Sequence, residues 1–119
     1  MRIPNALNAI IELSKLTSYV LNKAHDRGEH KAIMFEKELG ITAALAPVLQ
    51  AWLLDAVQHN DAVQGELNEY GQRYVVDFTV PGIRGEVTIR SAWIIEMTVG
   101  FPRLVTCYIT KVVNNDKSN

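Results

Sequence analysis

The chain has 119 residues, 48% of them hydrophobic and 21% charged, with a net charge of −1. That length supports one hydrophobic core rather than two, the balance excludes a disordered chain, and no apolar run approaches the roughly 18 residues of a spanning helix. Near-neutral charge argues against holding nucleic acid by bulk positive potential, and a single cysteine, Cys107, excludes an intramolecular disulfide framework or a cysteine-rich zinc site.

The opening MRIPNALNAII is interrupted by Pro4, Asn5 and Asn8, so it reads as neither a secretory nor a transit leader, and a cytoplasmic location without membrane association is expected. Ser14 is a candidate N-cap for a first helix through KLTSYVLN, with Leu16, Tyr19 and Val20 on one face. The pattern breaks at Gly28. A second helix, HKAIMFEKELG, puts Ala32, Phe35 and Leu39 on one stripe and stops at Gly40, where a left-handed residue suits a helix end. Thr42 can cap a third helix, AALAPVLQAWLLDAVQHN, whose Leu45, Leu49, Trp52, Leu53 and Val57 recur at helical spacing; Pro47 falls early, where a missing N–H matters least.

From Asp61 the apolar period changes to two. AVQGEL, QRYVVDFTV, EVTIRSAWII and RLVTCYITKVV read as strands, joined by a turn at PGIRG and a loop through GFP. The fold class is α+β: about three N-terminal helices packed on one face of a roughly four-stranded antiparallel sheet. It is one domain over residues 1–119, helical to about 60, a β-meander over about 61–112 and a frayed tail at 113–119.

Alternation sorts the strand residues into faces. Tyr74, Val76, Phe78 and Val80 form an apolar row, leaving Arg73, Val75, Asp77 and Thr79 opposite. Ile89, Ser91, Trp93 and Ile95 on the core side leave Thr88, Arg90, Ala92 and Ile94 outward. In the last strand Val105, Cys107 and Ile109 are expected inside, with Leu104, Thr106, Tyr108 and Thr110 outside. The uncovered face then carries Arg73, Asp77, Thr88, Arg90, Thr106 and Tyr108. Arginine forks with hydroxyl donors on rigid strands suit a phosphate; periodicity by itself favours an ordinary solvated face where Asp77 pairs with Arg90 or Arg73.

His25, Arg27, His30 and Lys31 cluster where the second helix begins. His-x4-His lacks the frame of a helical metal motif, and neither metal nor cofactor is expected. Lys31 near a helix start suits an anion, and His30 is either an acid or base beside it or a surface histidine. Trp52 and Trp93 lie on apolar faces and read as core, as does the thiol of Cys107.

The segments LNKAHDRGEHKAIMFEKELGI, NEYGQRYVVDF, IRSAWII and FPRLVTCYI resemble a small bacterial domain family found free-standing and at the C-termini of polymorphic toxins, over about Ile3 to Thr110. The order of helices and strands is similar to the barnase/EndoU/colicin/RelE-like ribonuclease toxins. The resemblance implies a metal-independent ribonuclease toxin of a bacterial toxin–antitoxin system, with RNA as substrate and a cognate small antitoxin or immunity-type protein as partner. It implies His30 as general acid or base, Lys31 and Arg90 as phosphate ligands, Thr106 and Tyr108 as positioning groups, and a site role for Ser91; Arg73 and Arg103 are expected, with Ser91, as substrate contacts. Ser91 conflicts with its own parity, which places it in the core. The competing expectation is a non-catalytic interaction module, antitoxin-like or an adaptor, that retains the fold.

Overall fold

A computed structural model describes residues 1–24 and 29–114. After a 3-10 turn at Ala6–Asn8, α1 (Leu13–Lys15) runs into a π-helical turn at Leu16–Val20. It starts one residue before Ser14, and no side chain caps it, so the expected cap is not used. Helix α2 (Glu29–Leu39) buries Ala32 and Phe35 and ends at Gly40, which adopts φ +67, a left-handed value that costs glycine little. Thr42 precedes a 3-10 turn, Ala43–Leu45, without a side-chain hydrogen bond. Helix α3 (Ala46–His59) has Pro47 in its first turn and buries Leu49, Leu53 and Val57.

Four strands follow, β1 (Ala62–Asn68), β2 (Gly71–Pro81), β3 (Gly85–Glu96) and β4 (Pro102–Asn114), in an open antiparallel sheet of order β1-β2-β3-β4. β4 thus extends through Asn114, into the expected tail. Phe35, Leu49, Leu53 and Val57 from the helices meet Val76, Val87, Ile89, Trp93 and Cys107 from the sheet in one core. Full burial of each large side chain contributes about 1.5–3 kcal/mol of transfer free energy. Trp93 is fully buried, and Trp52 packs at the margin of that core. Among the described residues no single helix is long and apolar enough to cross a membrane; α2 and α3 meet that test only as a pair bent by 71°, and α3 turns its apolar stripe into the core.

The expected parity holds in β2 and along β3 as far as Trp93, beyond which Ile94, expected outward, is buried and Ile95 half-buried, and it fails at the start of β4. Ala92 pairs with Thr106 and Trp93 with Leu104, so Val105 is an extra residue that shifts the register. Leu104 is therefore buried, where alternation put it outside, and Val105 leaves the core row. A second shift at Thr110 separates the Ile89–Ile109 and Thr88–Lys111 pairs. Between the two shifts Thr106 and Tyr108 keep the outward placement expected of them, opposite Ala92 and Arg90.

Two local devices fix the sheet to its helices. Glu38 of α2 is buried, and Arg84 in the β2–β3 turn donates to it from Nε and Nη2 at 3.2 and 2.5 Å. Beside it the Ile83 N–H donates to the Glu38 carbonyl at 2.9 Å, and a Cβ on Gly82 would stand 2.9 Å from that same oxygen. The turn residue here has to be glycine for the hairpin to lie this close. At the opposite end, Ile10 bridges Arg103: its N–H donates to Pro102 and its carbonyl accepts from Leu104, at 2.9 and 3.1 Å.

Candidate anion-binding face

The register sets side chains of neighbouring strands side by side on the face away from the helices, in rows roughly 7 Å apart along each strand. One row runs Val63, Val75, Ala92 and Thr106. The next runs Asp77, Arg90 and Tyr108. Lys31 of α2 completes that second row: its Nζ lies 4.9 Å from the centroid of the Tyr108 ring and 5.7 Å from that of Tyr19. Both distances are within reach of a cation–π attraction, which holds the ammonium by ring faces while its donors stay available. A helix-borne cation, a phenol and a strand arginine thus meet although the chain separates them widely.

Arg90 is anchored from the other side. Its Nε and Nη2 donate to the two carboxylate oxygens of Asp77, both at 2.9 Å, and the two side chains keep 43% and 40% of their surface exposed. Asp77, by these hydrogen bonds and by its charge, raises the guanidinium pKa above the ordinary arginine value; desolvation opposes this, and the Tyr108 phenol adds a smaller contribution. The cross-strand pair anticipated as one reading of this face is present, with Arg90 and not Arg73 as the partner. Asp61, Val63, Val75, Asp77 and Arg90 line an open hollow of about 320 Å³ beside it.

The remaining expected residues are placed as follows. His30 is exposed in the first turn of α2, with no hydrogen bond or ion pair to another described residue; His25 and Arg27 lie outside the described residues. Arg73 is half-buried on the open face opposite Ile94, and no carboxylate among the described residues pairs with it. Arg103 flanks Ile94 on the other side, and its charge is taken by Glu96 at 2.5 Å and Glu12 at 3.6 Å. It therefore braces the Ile10 joint and is not a free phosphate contact. The Thr106 hydroxyl is buried without a hydrogen-bond partner in the described structure.

Ser91 is corrected. It is fully buried, its hydroxyl donates to the Val76 carbonyl at 2.7 Å, and it accepts from the Trp93 indole N–H at 2.9 Å. Residues two apart on one strand share a face, and this hydroxyl gives a buried indole its required partner. Ser91 cannot touch a substrate. Tyr19 and Asp77 are the site residues that sequence reasoning did not include: Asp77 was placed on the correct face but not in the site, and Tyr19 carries no local signal for that role, which depends on how the π-helical turn Leu16–Val20 packs.

The fold and this row define a small α+β domain in which a strand arginine and tyrosine neighbour one another on the sheet face opposite the core, with a helix-borne lysine against that tyrosine. A family described as a domain of unknown function, DUF6883, matches residues 2–111, and the chain belongs to it. No curated protein and no solved structure matches the chain.

Proposed function

We propose that the protein is an RNA-cleaving toxin of a bacterial toxin–antitoxin pair, acting in the cytoplasm on the face that carries Lys31, Tyr108 and Arg90. The observation that carries this reading is the contact of Lys31 with Tyr108, the cross-strand neighbour of Arg90. Two cations and a phenol on rigid elements suit a phosphodiester whose charge grows in the transition state. In the reaction the RNA 2′-oxygen bonds to the adjacent phosphorus and the bond from phosphorus to the 5′-oxygen breaks. The products are a 2′,3′-cyclic phosphate and a 5′-hydroxyl end. One group accepts the 2′-proton and another supplies a proton to the leaving oxygen; His30, exposed and next to Lys31 in sequence, is assigned one of these transfers. Lys31 and Arg90 stabilise the charge on the non-bridging oxygens, and Tyr108 orients them.

Expression without the partner is expected to arrest bacterial growth, and Lys31→Ala or Arg90→Ala to relieve the arrest while the variant accumulates folded. Free tolerance of the wild-type chain would sink the proposal.

A second reading, a non-catalytic interaction module, draws on a different observation: both donor positions of the Arg90 fork that face Asp77 are filled, and Arg103 is neutralised. On that reading the face binds a protein, and His30→Ala leaves its activity intact.

A further inference from the structure

We infer that Asp77 is an internal competitor for the anion site, and that a phosphodiester binds by displacing its carboxylate from Arg90. The inference rests on the reading of Arg90 as a phosphate contact and adds what sets the affinity and selectivity of that contact. A carboxylate and a phosphate present the same paired oxygens to a guanidinium fork, and only one can hold its Nε and Nη2 at a time. Asp77 holds both, at 2.9 Å.

The pair is placed so that exchange is feasible. Both side chains are more than a third exposed, and the hollow lined by Val63, Val75 and Asp61 opens beside them. A displaced Asp77 can therefore turn into solvent without burying an unpaired charge. Exposed pairs hold weakly, whereas a buried partner would be costly to remove. Lys31 is held by ring faces and not by a carboxylate in the described structure, so it attracts the incoming anion without prior exchange. Chloride and other single-point anions lack the second oxygen needed to replace both of Asp77's hydrogen bonds. The site accordingly favours phosphodiesters over simple anions.

The test uses a fluorescently labelled single-stranded DNA decamer, which has no 2′-hydroxyl and cannot be cleaved by the proposed chemistry, so binding is read apart from catalysis. Fluorescence anisotropy compares the wild type, Asp77→Asn and Glu86→Gln. Glu86 lies on the same strand as Arg90, exposed and without a partner among the described residues, and its removal changes net charge equally. Asp77→Asn is expected to bind about three- to fivefold tighter than the wild type, consistent with the strength of exposed ion pairs. Glu86→Gln should stay within about 1.5-fold, since charges beyond a contact are largely screened at physiological salt. Asp77→Asn in combination with Arg90→Lys, which retains charge but not the fork, should lose the gain.

Equal tightening by Glu86→Gln, weaker binding by a folded Asp77→Asn, or no binding by either would overturn the inference. Should Asp77→Asn not fold, Asp77→Ser is compared in its place under the same criteria. If neither wild type nor Asp77→Asn cuts RNA but the binding gain appears, the nuclease reading fails and the competitor stands.

Discussion

Among the described residues two arginine–carboxylate forks occur, and they differ in the burial of the carboxylate more than in chemistry. Glu38 is 1% exposed beneath Arg84, where the pair clamps α2 to the β2–β3 turn. Asp77 and Arg90 make the same two-point contact on the open face of the sheet, about two-fifths exposed. A carboxylate taken out of water cannot lose its partner without stranding a charge, whereas an exposed one can. The first fork is therefore a fixture of the fold, and the second is an exchangeable element of a site.

Breaking the buried fork should give the largest effect. Arg84→Ala is expected to lower Tm more than any other single substitution discussed, because Glu38, buried beneath it, loses both of its hydrogen bonds from the guanidinium; Glu38→Gln should be milder. The pH dependence has a definite sign. Hydrogen bonds from Arg84 lower the Glu38 pKa from 4.5, against desolvation, with Arg84's charge adding to the lowering. A depressed carboxyl contributes stability above its unfolded pKa and loses it as pH falls through the folded value. The Tm gap between wild type and Glu38→Gln should hold from neutral pH down to about 5 and close progressively below that in thermal melts.

Next in size is Ser91→Ala. It leaves the Trp93 N–H and the Val76 carbonyl without their partner, a loss of about 1–3 kcal/mol in urea unfolding. By contrast Arg90→Ala should leave Tm close to the wild type while abolishing the growth arrest that the proposed function predicts. A Tm loss as large as that of Arg84→Ala would erase the distinction between the forks. The smallest expected change concerns Cys107, whose thiol is pushed up to about 12 by burial, opposed by the positive charge of Lys31. It should resist alkylation at pH 8 in the folded protein and react promptly in denaturant.

The sequence made the elements legible because their signals are local. Gly40, Pro47 and the apolar stripes bounded α2 and α3, and alternation in β2 and β3 placed Arg73, Asp77, Arg90 and Trp93 on their correct faces. Alternation failed at Leu104 and Val105 because a bulge adds a residue without altering the apolar character of the run. Ser91 illustrates the weight of parity: its position in the row of Ile89 and Trp93 marked it as core, and the resemblance that suggested a site role did not. The Glu38–Arg84 clamp and the approach of Lys31 to Tyr108 were not legible, since both arise from the docking of α2 on the sheet and neither pair has a fixed spacing. An ion pair of Asp77 with Arg90 or Arg73 was legible from the shared face, but the choice of Arg90 needed the register that sets Asp77 opposite it.

RNA cleavage by the row of Lys31, Tyr108 and Arg90 is the proposal on which the rest depends. The most direct test incubates purified, partner-free protein with total bacterial RNA in excess chelator and maps 5′-hydroxyl ends by sequencing, for wild type and Arg90→Ala. Discrete cuts by the wild type are expected, and they should vanish in a variant of unchanged circular dichroism. Intact RNA in the presence of folded wild-type protein, or cuts that persist without Arg90, would contradict it.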